Sequence, residues 1–190
     1  MAEAEREAVD LAATSEGTVP GPIPEAGVMG RIVDRLGYVF AAGIVAGAVI
    51  LLIEVFLRYV FNSPTIWAHE TTIFVSGLAF VFGGLYCTAR NTHIRVVIIY
   101  DQLGPAARRV ADVMIFLTSA VASAFFAYAA YQMAHRAVFA PSGGFRLETT
   151  GSAWSPPTPG LIKSFIFIVM VLLAIQFVIL AVNTIRRTTR

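Results

Sequence analysis

Cysteine is nearly absent. Cys87 is the single one in 190 residues, so no internal disulfide can form and no thiolate cluster can hold a metal. Charge is scarce as well: Asp, Glu, Lys and Arg make up 14% of the chain against 57% hydrophobic residues, a balance that excludes an ordinary soluble domain. The net charge of +2 is too small to point to nucleic acid, and the arginines lie at segment ends instead of in a basic patch. The histidines, His69, His93 and His135, sit at the ends of apolar stretches, where no two face each other across a bundle core. That removes a bis-histidine haem site. Also missing are a Ser/His/Asp grouping, an HExxH, a phosphate loop and loops long enough for a soluble active site, so neither an enzyme nor a cofactor is expected. Inverted repeats with broken helices, the usual hardware for binding a solute at mid-membrane, are missing too.

What the chain has is long apolar runs. Four of them, about Leu36–Leu57, Ile66–Tyr86, Val110–Ala134 and Leu161–Ile185, reach the roughly 20 residues needed to cross a hydrocarbon core. Each is apolar all round, which a half-buried helix of a soluble fold is not, and only helices or closed barrels can span lipid. The expected fold is an all-α integral membrane protein of four transmembrane helices, occupying residues 29–187 with the lipid bilayer as solvent. Residues 1–28 combine acidic residues with Pro20, Pro22 and Pro24 and read as a disordered tail, and residues 188–190 as a short C-terminal one. The acidic start lacks the order of a cleavable signal, so the first span reads as an uncleaved anchor.

Lys and Arg distribution sets the expected orientation. Arg6, Arg31, Arg35, Arg90, Arg95, Arg108, Arg109, Arg186, Arg187 and Arg190 fall on one side, while Arg58, Arg136, Arg146 and Lys163 fall on the other. Both termini are therefore expected in the cytoplasm. The connection around Pro64 is short enough to force an antiparallel hairpin. Between spans two and three, Ile94, Val97, Ile98 and Leu103 alternate with Arg95, Asp101 and Gln102, a weakly amphipathic pattern that reads as a short interfacial helix. The third connection, rich in Pro and Gly, carries Trp154 as a candidate headgroup anchor and is expected to be ordered or bound to a partner.

The polar residues near the first hairpin need partners. Glu54 precedes Arg58 by four positions, the favoured order for a helical ion pair; the alternative is a proton or ion site. Glu70 stands at the start of span two, where the positive helix end favours a carboxylate, and an Arg58 bridge to both acids is a second expectation. Gly43 with Gly47, Ala79 with Gly83, and Ala120 with Ala124 give small-xxx-small spacings that let helices approach closely.

The run from Glu54 to Glu70 reads E-V-F-L-R-Y-V-F-N-S-P-T-I-W-A-H-E. With Glu54, Arg58, Asn62, Trp67 and Glu70 at these spacings, it resembles the hairpin motif of the DctQ-like family, the small membrane subunits of tripartite ATP-independent periplasmic (TRAP) transporters. His93-Ile-Arg95-Val and Tyr-Asp101-Gln-Leu resemble that family's inner-loop segment, and Trp154-Ser-Pro-Pro leading to Lys163 and Gln176 is a weaker match. The resemblance covers about Gly30 to Arg187, with Val97 departing where many relatives carry an acid. It implies a scaffold in the bacterial inner membrane that clasps a large membrane subunit carrying the ion and substrate sites. A periplasmic binding protein would deliver a carboxylate-bearing solute, and an ion gradient would drive uptake. The competing expectation is a homodimeric multidrug exporter exchanging protons on Glu54, against which Arg58 stands as a neighbour that would repel a cationic drug.

Overall fold

The computed structural model describes residues 21–92 and 104–188. They form a 3-10 turn, Pro24–Ala26, and the helices α1 (Gly27–Val60), α2 (Trp67–Arg90), α3 (Pro105–Val138) and α4 (Thr158–Thr188). Among the described residues there is no strand, only an isolated bridge between Phe139 and Phe145. All four helices are long and apolar enough to cross a membrane. At 34 residues each, α1 and α3 extend about 50 Å, beyond the roughly 30 Å hydrocarbon core, so they tilt or carry their ends into the headgroup region.

The helices do not close into a four-cornered bundle. α1 packs on α2, α2 on α4 and α4 on α3, with α1 reaching α4 only marginally. The order across the membrane is therefore α1-α2-α4-α3, an open row with α1 and α3 at its edges. Large apolar side chains such as Leu52, Phe80 and Phe125 lie exposed along it, as expected where lipid or another membrane protein supplies the contact.

Small residues set the spacing inside each hairpin. A Cβ on Gly43 would lie 3.2 Å from Val75 and one on Gly47 3.6 Å from Thr72, so this pair forms the close approach of α1 to α2. Ala79 is buried, but a Cβ on Gly83 would meet nothing within 4 Å, so Gly83 is not a packing position within this chain. Of the three glycines that α1 turns to α2, Gly37 has the least room: a Cβ there would stand 2.4 Å from the Tyr86 ring. Next to it Phe40 stacks on Phe82 with centroids 4.1 Å apart. In the other hairpin, Phe116, Ala120, Ser123, Ala127, Ala130, Ala134 and Ala137 are all buried, a seam stepping by four and three residues that is the heptad geometry of a left-handed helix pair. Ala124 is exposed. The seam follows the seven-residue period from Ala120 through Ser123 and Ala127, not the spacing to Ala124.

The two hairpins are joined by α2 against α4 and by the segment before α1. Residues 21–28, whose composition suggests a tail, are held by specific bonds. Ile23 N–H donates to Ala89 O at 3.1 Å, Gln176 Nε2 to Ala26 O at 3.2 Å, and Asn183 Nδ2 to Glu25 O at 2.7 Å. Ala26, fully buried, packs with Phe116 and Ala120 of α3 and Phe177, Leu180 and Ala181 of α4. Gly27, at φ +65°, turns the chain into α1 in a region open to glycine at no steric cost. Residues 1–20 and the expected interfacial helix, with His93, Arg95 and Asp101, lie outside the described residues.

Replacing Gln176 by Leu removes the donor to Ala26 and also a buried Oε1 that has no partner. The expected global cost is about 1 kcal/mol, near the net worth of one hydrogen bond. Hydrogen exchange should show faster opening at the Ile23 amide in Q176L than in the parent; unchanged protection there would contradict the fastening role assigned to Gln176.

Candidate functional site

The charge cluster begins where α1 ends. Phe61 N–H and Ser63 N–H both donate to Leu57 O, at 3.2 and 3.1 Å, and Asn62 takes φ +48°, a left-handed conformation that asparagine tolerates better than most residues. This stop leaves Ser63-Pro64 to swing Thr65 back over the last turns of α1. The Thr65 backbone N–H then donates to both Glu54 carboxylate oxygens, at 3.2 and 3.0 Å, and its hydroxyl donates to Oε2. From the other side Arg58 donates through Nη2 at 2.7 Å and Nε at 3.3 Å. Glu54 is thereby 5% exposed beneath an Arg58 that is 51% exposed. A carboxylate in that position needs compensation, and it has it from a full charge, a hydroxyl and a backbone N–H.

The arrangement fastens the hairpin. One side chain of α1 holds the backbone that leads into α2, so the pair Glu54–Arg58 does more than join two positions of one helix face. Trp67 opens α2 and is about half exposed, as an interfacial anchor would be. Glu70 lies one turn further on, and its bonding partner is Thr150 Oγ1 at 3.3 Å, in the α3–α4 connection. Arg58 therefore does not bridge the two acids. The chain reversal turns Arg58 towards Glu54 and Thr65, and the returning loop takes Glu70.

That connection is ordered by its own backbone. Arg146 N–H donates to Val138 O, Glu148 N–H to Ala137 O and Gly160 N–H to Glu148 O, while Lys163 pairs with Glu148. Gly160 fits a close space there, since a Cβ would lie 3.1 Å from Leu147 and 3.3 Å from the Glu148 nitrogen and would press on both.

A second ion pair closes the opposite end of the α1–α2 hairpin, and sequence reasoning missed it. Arg90 donates to Asp34 Oδ1 through Nε at 2.7 Å and Nη2 at 2.6 Å, and its guanidinium lies 4.6 Å from the centre of the Tyr86 ring. Both partners are largely buried. Asp34 precedes the expected start of span one and Arg90 follows the expected end of span two, so both read as loop charges. The available signal was antiparallel symmetry: the two ends of one hairpin facing each other carry opposite charges. Asn91 at φ +55°, with Thr92 N–H bonded to Cys87 O, ends α2 one residue after Arg90 and so keeps Arg90 helical and aimed at Asp34.

Two results follow for stability. D34N leaves a buried guanidinium unpaired and should cost about 3 kcal/mol, the scale for breaking one partner of a buried pair, while E148Q at the exposed Lys163 pair should cost below about 1 kcal/mol; thermal unfolding in detergent ranks the two. A double-mutant cycle between E54Q and R58A should give a coupling on the order of 1 kcal/mol, at the upper end for a part-exposed i,i+4 pair.

No curated protein matches the chain. Residues 47–187 match the family described as Tripartite ATP-independent periplasmic transporters, DctQ component. The match takes in the last part of α1 from Gly47, all of α2, the Glu54–Arg58–Thr65 fastening and the α3–α4 seam, and leaves the Ile23–Ala26 segment and the first part of α1 with Asp34 outside it. With four membrane-crossing helices and a match across most of its length, the chain belongs to the DctQ family, the small membrane subunit of TRAP transporters.

Proposed function

We propose that the protein is the scaffold of its transporter: it holds a large membrane subunit steady while that subunit moves a carboxylate-type solute, delivered by a periplasmic binding protein and driven by an ion gradient. The observation that carries this reading is the fate of Glu54. The acid on the first span best placed for ion exchange is occupied by Arg58 and by Thr65, whose backbone is part of the fold. A proton-exchanging exporter needs that carboxylate open to its substrate, so the arrangement favours the scaffold over the exporter. The open row of helices supports it further, because a row leaves a broad apolar flank for a partner where a closed bundle keeps its contacts to itself.

In this reading Glu54, Arg58, Asn62, Trp67 and Glu70 form the hairpin end that meets the large subunit or the headgroups. Trp67 and Arg58 supply its exposed groups. His93, Arg95 and Asp101 belong to an inner-loop contact on the opposite membrane face. Both termini lie in the cytoplasm of a bacterial inner-membrane protein, consistent with the arginine bias.

The test is recovery of tagged protein from native membranes in mild detergent. A large multi-span protein co-purifying in roughly equal amount is the expected outcome, and W67A should weaken that recovery without lowering the amount of the chain in the membrane. Isolation of the chain as a homodimer alone would overturn the scaffold reading.

A further inference from the structure

At the loop end of α3 an unpaired cation stands above an apolar groove. Arg136, in the last turn of α3, is exposed and takes part in none of the ion pairs among the described residues. It lines a cavity of about 550 Å³ together with His135, Phe139 and the turn from Ala140 to Gly143. The turn is closed by its own bonds, Ala140 N–H to Gly144 O and Gly143 N–H to Ala140 O, both 2.9 Å, so this wall of the cavity keeps a fixed shape. Immediately below it lies a second, shallower depression of about 270 Å³ between α3 and α4, walled by Tyr131, Ala134 and Val138 on one side and Phe167 and Ile168 on the other. His135 and Phe139 line both, so the hollow beside Arg136 and the apolar groove adjoin at these two side chains, a candidate channel along the end of α3. Its apolar part spans Tyr131 to Val138, about 10 Å along the helix axis.

The order of these features along the membrane normal matches a lipid. A guanidinium at the end of a transmembrane helix sits at headgroup level and pairs phosphate through two parallel hydrogen bonds. The apolar groove runs from there back along α3 to Tyr131, towards the middle of the span. Ala134, which lines the groove, belongs to the alanine seam that brings α3 and α4 close, and Tyr131 and Phe167, with rings 5.6 Å apart, close the furrow beside it at its deep end. A partner helix seated here would have to bring an acid to Arg136 at the same depth; a phospholipid brings its phosphate by construction.

We propose that this channel is a specific phospholipid site, with the lipid phosphate on Arg136 and one acyl chain laid between α3 and α4. The lipid fills the furrow beside the alanine seam and ties the last turn of α3 to the loop that follows it.

The full chain reconstituted in phosphatidylcholine vesicles containing a trace of phosphatidylglycerol with a photoreactive acyl chain gives the test, with adducts mapped by mass spectrometry. Adducts should concentrate on Tyr131, Phe167 and Ile168 over the exposed α1 positions Leu52 and Phe56. R136Q should lower the groove yield roughly tenfold, the factor set by loss of about one charge-assisted hydrogen bond. Arg136 is exposed, so this variant keeps the fold, which its helical content verifies. I168W, which fills the groove and leaves the cation in place, should abolish groove adducts. Equal yields in the groove and on α1, or a groove yield that either variant leaves unchanged, would overturn the site.

Discussion

Lipid offers no hydrogen bonds, and that constraint organises the whole molecule. Each helix satisfies its own backbone, but every place where the chain stops being helical needs partners from elsewhere. The structure meets this need with a small set of fastenings: Glu54 with Thr65 at one end of the first hairpin, Asp34 with Arg90 at the other, Gln176 and Asn183 on the segment before α1, and Glu148 in the loop after α3. Each lies where a helix begins or ends. Between them the helices are held by shape alone, through glycine in the first hairpin and alanine in the second.

The division between these two kinds of contact explains why the row stays open. Apolar packing in a bilayer carries no gain from hiding surface from water, so helices associate only where small residues permit close approach or polar groups pair. α1 presents Gly37, Gly43 and Gly47 to α2, and between its charged ends the exposed surface carries large apolar side chains such as Val45, Val49 and Leu52. α3 presents its alanine seam to α4 and little else. Nothing draws α1 and α3 together. The join between the hairpins then rests on α2 against α4, around Val169, Leu85 and Phe82, and on Ala26 wedged between α3 and α4.

Much of this was legible in the amino-acid sequence. Hydropathy alone marks the four spans, because twenty apolar residues without charge have few other destinies. The Glu54–Arg58 pair follows from helical periodicity, and the close approach at Gly43 and Gly47 from the spacing of small residues. Three features were hidden for separable reasons. Thr65 joins Glu54 through its backbone N–H, which no residue type announces. Asp34 and Arg90 are far apart in sequence and meet only because the hairpin register brings them together. The segment from Ile23 to Ala26 looks like a tail because its holding bonds go to its own carbonyls and N–H groups, while Gln176 and Asn183, which accept the task of binding it, sit some 150 residues away.

The order α1-α2-α4-α3 also has a mechanical consequence. A compact cylinder turning about the membrane normal drags little lipid, whereas a row four helices wide sweeps a broad path and resists rotation and tilt like a keel. Fixed to a neighbouring membrane protein at one edge, such a plate would have to be dragged through the lipid whenever that neighbour turned or tilted, and the viscosity of the bilayer would slow both together.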